Sequence, residues 1–99
     1  DSFEAIPMVS SAFILVWNKP RQPNGNLLGF KIYYQTVNDT KLGPIQKKPD
    51  ILNPDQTHVK LAGLQSNTKY RIIIRAFNKA GDGNKLFIEE STRDFASQP

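Results

Sequence analysis

The stretch Leu64-Gln65-Ser66-Asn67-Thr68-Lys69-Tyr70-Arg71-Ile72-Ile73-Ile74-Arg75-Ala76-Phe77 leaves this chain few ways to fold. From Tyr70 onward the residues alternate. Tyr70, Ile72, Ile74 and Ala76 fall on one side and Arg71, Ile73, Arg75 and Phe77 on the other, the period of a strand with one face on a core. Three consecutive β-branched isoleucines disfavour a helix. A tyrosine at the head of such a strand, after an apolar anchor (Leu64) and a polar turn (Ser66-Asn67), can bury its ring while its hydroxyl bonds back to the turn. That arrangement is the tyrosine corner of Greek-key sandwiches.

The rest of the chain repeats the same period. Phe3 to Met8 reads as an edge strand bent at Pro7. Phe13-Ile14-Leu15-Val16-Trp17 sends Phe13, Leu15 and the single tryptophan inward. Asn18 to Gly25, with two prolines and an Asn-Gly pair, is a loop. Alternation resumes after Gly29, with Phe30, Ile32 and Tyr34 inward and Lys31, Tyr33 and Gln35 outward. Asn38-Asp39-Thr40 marks a turn, and Leu42 to Ile45 is a proline-interrupted edge strand. Pro49 to Pro54 reads as a loop, and Thr57 to Leu61 as a strand with Val59 and Leu61 inward and His58 outward. Asn78 to Asn84 is a glycine-rich hairpin loop closing onto a strand from about Lys85 to Thr92. Leu86 and Ile88 face inward there, or Phe87 if the strand is bulged. Seven short strands without any helical period predict an all-β sandwich with Trp17, Ile32, Tyr34, Leu61, Leu64, Tyr70 and Ile72 in one core.

Composition narrows the chemistry. Ninety-nine residues suffice for one two-layer core and no more. Without cysteine there is no disulfide framework, thiolate nucleophile or Cys-based zinc site. No apolar run approaches the roughly 18 residues of a membrane span, and no charged-then-apolar leader opens the chain, so any secretion or anchoring signal is expected outside this stretch. The net charge of +4 permits polyanionic partners, but the basic residues are scattered and only Lys47-Lys48 are adjacent among the lysines and arginines. Nothing resembles a nucleic-acid track.

Together, the lone Trp17 ending the second strand, the Pro-rich loop with Asn24-Gly25, Gly29-Phe30-Lys31-Ile32-Tyr33-Tyr34, Leu64 six before Tyr70, Arg75-Ala76-Phe77-Asn78-Lys79-Ala80-Gly81-Asp82-Gly83 and Thr92 resemble a fibronectin type III domain. The resemblance covers nearly the whole chain and implies a seven-stranded, immunoglobulin-like Greek-key β-sandwich over residues 1–93, with 94–99 as linker. Many such domains carry Pro-Gly where this chain has Ser66-Asn67. Pro23-Asn24-Gly25, the 38–44 segment, the corner, and Gly81-Asp82-Gly83 followed by Ile88-Glu89-Glu90 are similar to a membrane-proximal repeat of the neural adhesion family that includes neuroglian and neurofascin. That implies the extracellular part of a single-pass cell-surface protein, with a role in neural adhesion and axon guidance.

Enzymatic machinery is not in sight. The sole histidine, His58, falls on an outward set, and no nucleophile elbow or phosphate-cradling loop occurs. Asp82 between two glycines lacks the arginine of an Arg-Gly-Asp motif, since Ala80 stands there; a tight turn accounts for it, and neither metal nor cofactor is expected. Asn38-Asp39-Thr40 is a glycosylation sequon on an expected loop. The surface of most interest is the outward side of the two central strands. Lys31 and Tyr33 should lie beside Arg71, Ile73, Arg75 and Phe77, a cation and aromatic patch suited to a protein: another adhesion molecule or a neighbouring domain. The other partner considered is heparan sulfate, held by Lys31, Arg71 and Arg75 with Lys47 and Lys48. Neither nucleic acid nor membrane contact by this domain is expected.

Overall fold

Two antiparallel sheets pack face to face in the computed structural model, which describes residues 2–19 and 26–94. The first sheet has the order β1-β2-β6, from Phe3–Pro7, Phe13–Trp17 and His58–Leu61. The second has the order β4-β3-β7-β8, from Lys41–Leu42, Leu27–Asn38, Lys69–Asn78 and Gly81–Ser91; β5, Gln46–Lys47, also pairs with β3. Most of the loop expected at 18–25, and 95–99 of the expected linker, lie outside the described residues.

Alternation decides which side chains meet between the sheets. Phe13, Leu15 and Trp17 come from β2, Phe30 and Ile32 from β3, and Tyr70, Ile72 and Ile74 from β7, with Leu61 and Leu64 closing one end. Phe13 meets Tyr70 edge-on, with centroids 6.4 Å apart and planes at 84°, and Trp17 lies 5.2 Å from Phe30. These are favoured aromatic geometries. Tyr34 departs from the expected core: it is only half-buried and packs against the cluster from its border.

Two elements depart from the expected seven strands. The segment from Leu42 to Ile45 is not one strand: β4 ends at Leu42, and Gly43, Pro44 and Ile45 separate it from β5; proline has no amide hydrogen for a ladder. Gly43 leaves the ladder to donate its N–H to Thr36 O at 2.8 Å, while its own carbonyl accepts from Gln35 Nε2 at 2.8 Å. Gln35, expected on the open face, is buried under that crossing. At the other end β8 begins at Gly81, since Asn78 pairs with Gly81 and only Lys79-Ala80 turn the chain. A register shift between Arg75 and Phe77 absorbs the difference.

The expected loop from Pro49 to Pro54 is tied down as well. Ile51 exchanges two backbone hydrogen bonds with Phe30, both 2.9 Å, and its side chain joins the core. Gly29 makes this approach possible, because a β-carbon there would lie 1.8 Å from Ile51 O.

The corner before β7 is held from three directions. Gln65 N–H donates to Tyr70 Oη at 2.9 Å, and Leu64 N–H donates to Ser11 O at 3.0 Å. Thr92 Oγ1 donates to Gln65 O at 2.7 Å and accepts Thr68 N–H at 3.0 Å, while Thr92 N–H donates to Thr68 O and Arg93 O accepts Asn67 N–H. Asn67 takes φ 49°, the left-handed value that glycine adopts freely and asparagine tolerates, so Ser66-Asn67 makes the turn without a glycine. Tyr70→Phe strands the Gln65 N–H and is expected to cost about 1–3 kcal/mol. A urea midpoint equal to that of the wild type would refute the role given to the hydroxyl.

Candidate interaction face

The outward residues of β3, β7 and β8 stand in rows fixed by strand register. Lys47, Tyr33, Ile73 and Phe87 form one row; Lys31, Arg75 and Lys85 form the next; Gln35, Arg71 and Glu89 form a third. Cross-strand neighbours on one face lie close enough to pack. The structure thus brings Lys31, Tyr33, Arg71, Ile73, Arg75 and Phe77 to one surface, each of them half-buried.

Lys31, Lys69, Arg71 and Arg75 are engaged within this face. Lys31 Nζ lies 2.8 Å from Asp82 Oδ1 and 5.2 Å from the Phe77 ring centroid. Arg71 donates through Nε to Glu89 Oε2 at 2.9 Å, approaches the same oxygen with Nη2 at 2.7 Å, and lays its guanidinium 5.0 Å from the Phe87 centroid. Lys69 reaches the other Glu89 oxygen at 3.4 Å. Arg75 donates to Gly83 O at 3.0 Å. The hydrogen bond from Arg71, with Lys69 behind it, holds the Glu89 carboxyl below its ordinary range, and the bond to Asp82 holds the Lys31 ammonium above its own.

Three of these residues escaped the sequence. Asp82, read as part of a tight turn, sits on β8 opposite Phe77, where its carboxylate serves Lys31. Glu89 entered only within the Ile88-Glu89-Glu90 segment of the resemblance, although the register Arg71↔Glu89 makes it the counter-charge. Phe87, expected inward if β8 were bulged, points outward with 53 % of its surface exposed although β8 does carry an extra residue between Asp82 and Lys85, and Leu86 and Ile88 take the inward parity. Even a correct pairing of β7 with β8 needs both the two-residue turn at Lys79-Ala80 and the extra residue in β8 between Asp82 and Lys85 before Phe87 can be set beside Ile73.

Outside this face, His58 is exposed on β6, and among the described residues no three His, Cys, Asp or Glu side chains converge on a metal position. Asn38 is exposed but ends β3 rather than lying in a loop. It pairs with Lys41 across Asp39-Thr40, and Asp39 takes φ 56°, the positive sign required at that point by primed hairpin turns. Among the described residues no helix is long and apolar enough to cross a membrane. Lys47, named above for polyanions, is paired with Asp50.

Comparison with known proteins agrees with this architecture. A family profile described as "Fibronectin type III domain" matches residues 2–89. Neuroglian of Drosophila melanogaster is 47 % identical over 90 residues, covering 90 % of this chain but 7 % of that protein. The mouse neural cell adhesion molecule L1-like protein is 35 % identical over 79 residues, covering 79 % of this chain and 6 % of its own length. The solution structure of the fn3 domain of human collagen alpha-1(XX) superposes with a TM-score of 0.78 at 22 % identity, covering 95 % of this chain and 83 % of that one. The chain therefore spans under a tenth of the two adhesion proteins it resembles.

Proposed function

The chain belongs to the fibronectin type III domain family, and from that premise we propose that it is a non-catalytic spacer and protein-interaction module in the extracellular part of a single-pass neural adhesion receptor, acting in adhesion and axon guidance. Residues 1–93 form the module and 94–99 the linker. The observation that carries the binding role is the Tyr33–Ile73–Phe87 row, with Phe77 on the same face beyond the Lys31–Arg75 row. Aromatic residues and arginine carry interface energy out of proportion to their number, and here the arginine and lysine stems flank apolar groups left partly open. Another adhesion molecule or an adjoining domain of the same receptor is the partner that suits it.

Heparan sulfate suits the face less well. Lys31, Arg71 and Lys47 already meet carboxylates, and a sulfated chain would have to displace Asp82, Glu89 and Asp50 to use them. Replacing Tyr33 and Phe77 together by serine, in a receptor shown to stay folded, separates the two. Loss of two anchors of this type is expected to weaken protein contact by about tenfold or more, read as slower aggregation of receptor-bearing cells, and to leave heparin retention unchanged. Undiminished aggregation would overturn the assignment of this face. Asn38, exposed at the tip of the β3–β4 hairpin, is proposed to carry an N-glycan; a mobility shift on N-glycosidase treatment, absent in Asn38→Gln, is expected when the receptor is made in secreting cells.

A further inference from the structure

The outer edge of β8 has no strand hydrogen-bonded to it. β8 ends its sheet, paired with β7 on one side and with no strand among the described residues on the other, while β1 of the facing sheet packs close to it. Natural proteins blunt such edges with proline, bulges, brevity or charged side chains, and of these the stretch from Lys85 carries only the charges of Lys85, Glu89 and Glu90. From Lys85 to Ser91 there is no proline, and the register against β7 is unbroken; the only irregularity lies nearer the hairpin, between Arg75 and Phe77. This edge also carries apolar groups on both faces, Phe87 at 53 % exposure on one and Leu86 at 38 % on the other.

We propose that two copies of this chain associate edge to edge through β8, antiparallel, about a twofold axis at Phe87. The sequence Lys85-Leu86-Phe87-Ile88-Glu89 is complementary to itself about that centre. Phe87 meets Phe87 of the second copy, Leu86 meets Ile88, and Lys85 stands opposite Glu89, once on each side of the axis. Moving the centre by one residue destroys the match: about Leu86, Lys85 faces Phe87, and about Ile88, Phe87 faces Glu89. Glu89 already meets Arg71 and, at 3.4 Å, Lys69, and a carboxylate with about four lone-pair sites keeps acceptor capacity for one further cation. The occupant is therefore a second copy rather than an unrelated strand, since an unrelated strand has no reason to bring opposite charges to both ends of the same five residues. A single strand pair with one ring pair buries less than a standard stable interface, so the association is weak in solution and strengthened where receptors share a membrane. This inference concerns the sheet edge; it shares Phe87 with the row proposed above for protein contact but does not rest on that reading.

The absence of cysteine supplies a clean test. Directly opposed residues of an antiparallel pair hold their α-carbons about 4.5–5.5 Å apart, a separation that a disulfide spans. Phe87→Cys is expected to cross-link with its own mate under mild oxidation at least about tenfold faster than Lys85→Cys, whose mate would be four residues away along the ladder. In the Phe87→Cys background, Lys85→Glu and Glu89→Lys each set like charges opposite one another and should slow cross-linking, while an equimolar mixture of the two should recover it as the heterodimer. Equal rates for the two cysteine variants, or a mixture no faster than its parts, would overturn the proposal. Because Glu89→Lys also removes the partner of Arg71, the unaltered chain gives an independent reading: backbone amides of Lys85 to Ser91 should shift with protein concentration. Their constancy up to millimolar chain would be equally fatal.

Discussion

Phe13→Ala is expected to destabilise the domain by about 3–5 kcal/mol, the usual loss for a fully buried phenylalanine. Phe13 has no exposed surface, its ring meets Tyr70 edge-on, and its backbone is paired on both sides, with Pro7 and with Leu61. Strands flanked in this way cannot close over the space, so the cavity persists and the cavity cost adds to the lost transfer energy. Domains of this size have roughly 5–15 kcal/mol of stability in all, so the substitution removes much of it. In urea the midpoint should fall by more than about 1 M. A fall within experimental scatter would mean that Phe13 does not hold the two sheets together as described.

Gly29→Ala is the second large effect, and its cause is backbone rather than core. The added β-carbon would fall 1.8 Å from Ile51 O, 2.9 Å from Ile51 C and 3.2 Å from Phe77 Cε1. The nearest atom is a carbonyl oxygen already accepting from Phe30 N–H, so it cannot swing aside as a side-chain tip would. Room is made only by withdrawing Ile51, which gives up two hydrogen bonds and a buried side chain. The expected cost is about 2–4 kcal/mol. Hydrogen exchange provides the local signature: the amides of Phe30 and Ile51 should lose protection far more than those of β2. A Gly29→Ala protein with wild-type midpoint and protection would contradict the close approach.

Much of the fold was legible because alternation in the central strands settles register, and register settles which side chains share a face. Ile72 and Ile74 could be placed inward without knowledge of any partner, and Tyr70 could be placed at the corner from its spacing to Leu64. The failures lie where a short segment answers to a distant one. Nothing between Pro49 and Pro54 alternates, so the burial of Ile51 depends on Gly29, more than twenty residues away. Gln35 keeps its outward parity and is buried all the same, because β4 and β5 separate and Gly43 crosses above it. On the candidate face the cations could be placed, but their carboxylate partners could not: Asp82 and Glu89 belong to a strand whose start was set four residues too late.

The chain enters and leaves the sandwich at opposite poles. Phe3 begins β1 beside Trp17, whereas Thr92 is fastened to the corner at the pole where Leu64 meets Ser11. In a string of such domains tethered between two cells, tension would run along the long axis of each bead, parallel to β8. It would then act in shear, straining the ladder between β7 and β8 as a set, whereas a transverse pull would peel its bonds apart in succession. Thr92, bonded to Gln65 and Thr68 at the point of exit, would share that load at the end of the ladder. Its worth would show in resistance to force more than in any equilibrium melt.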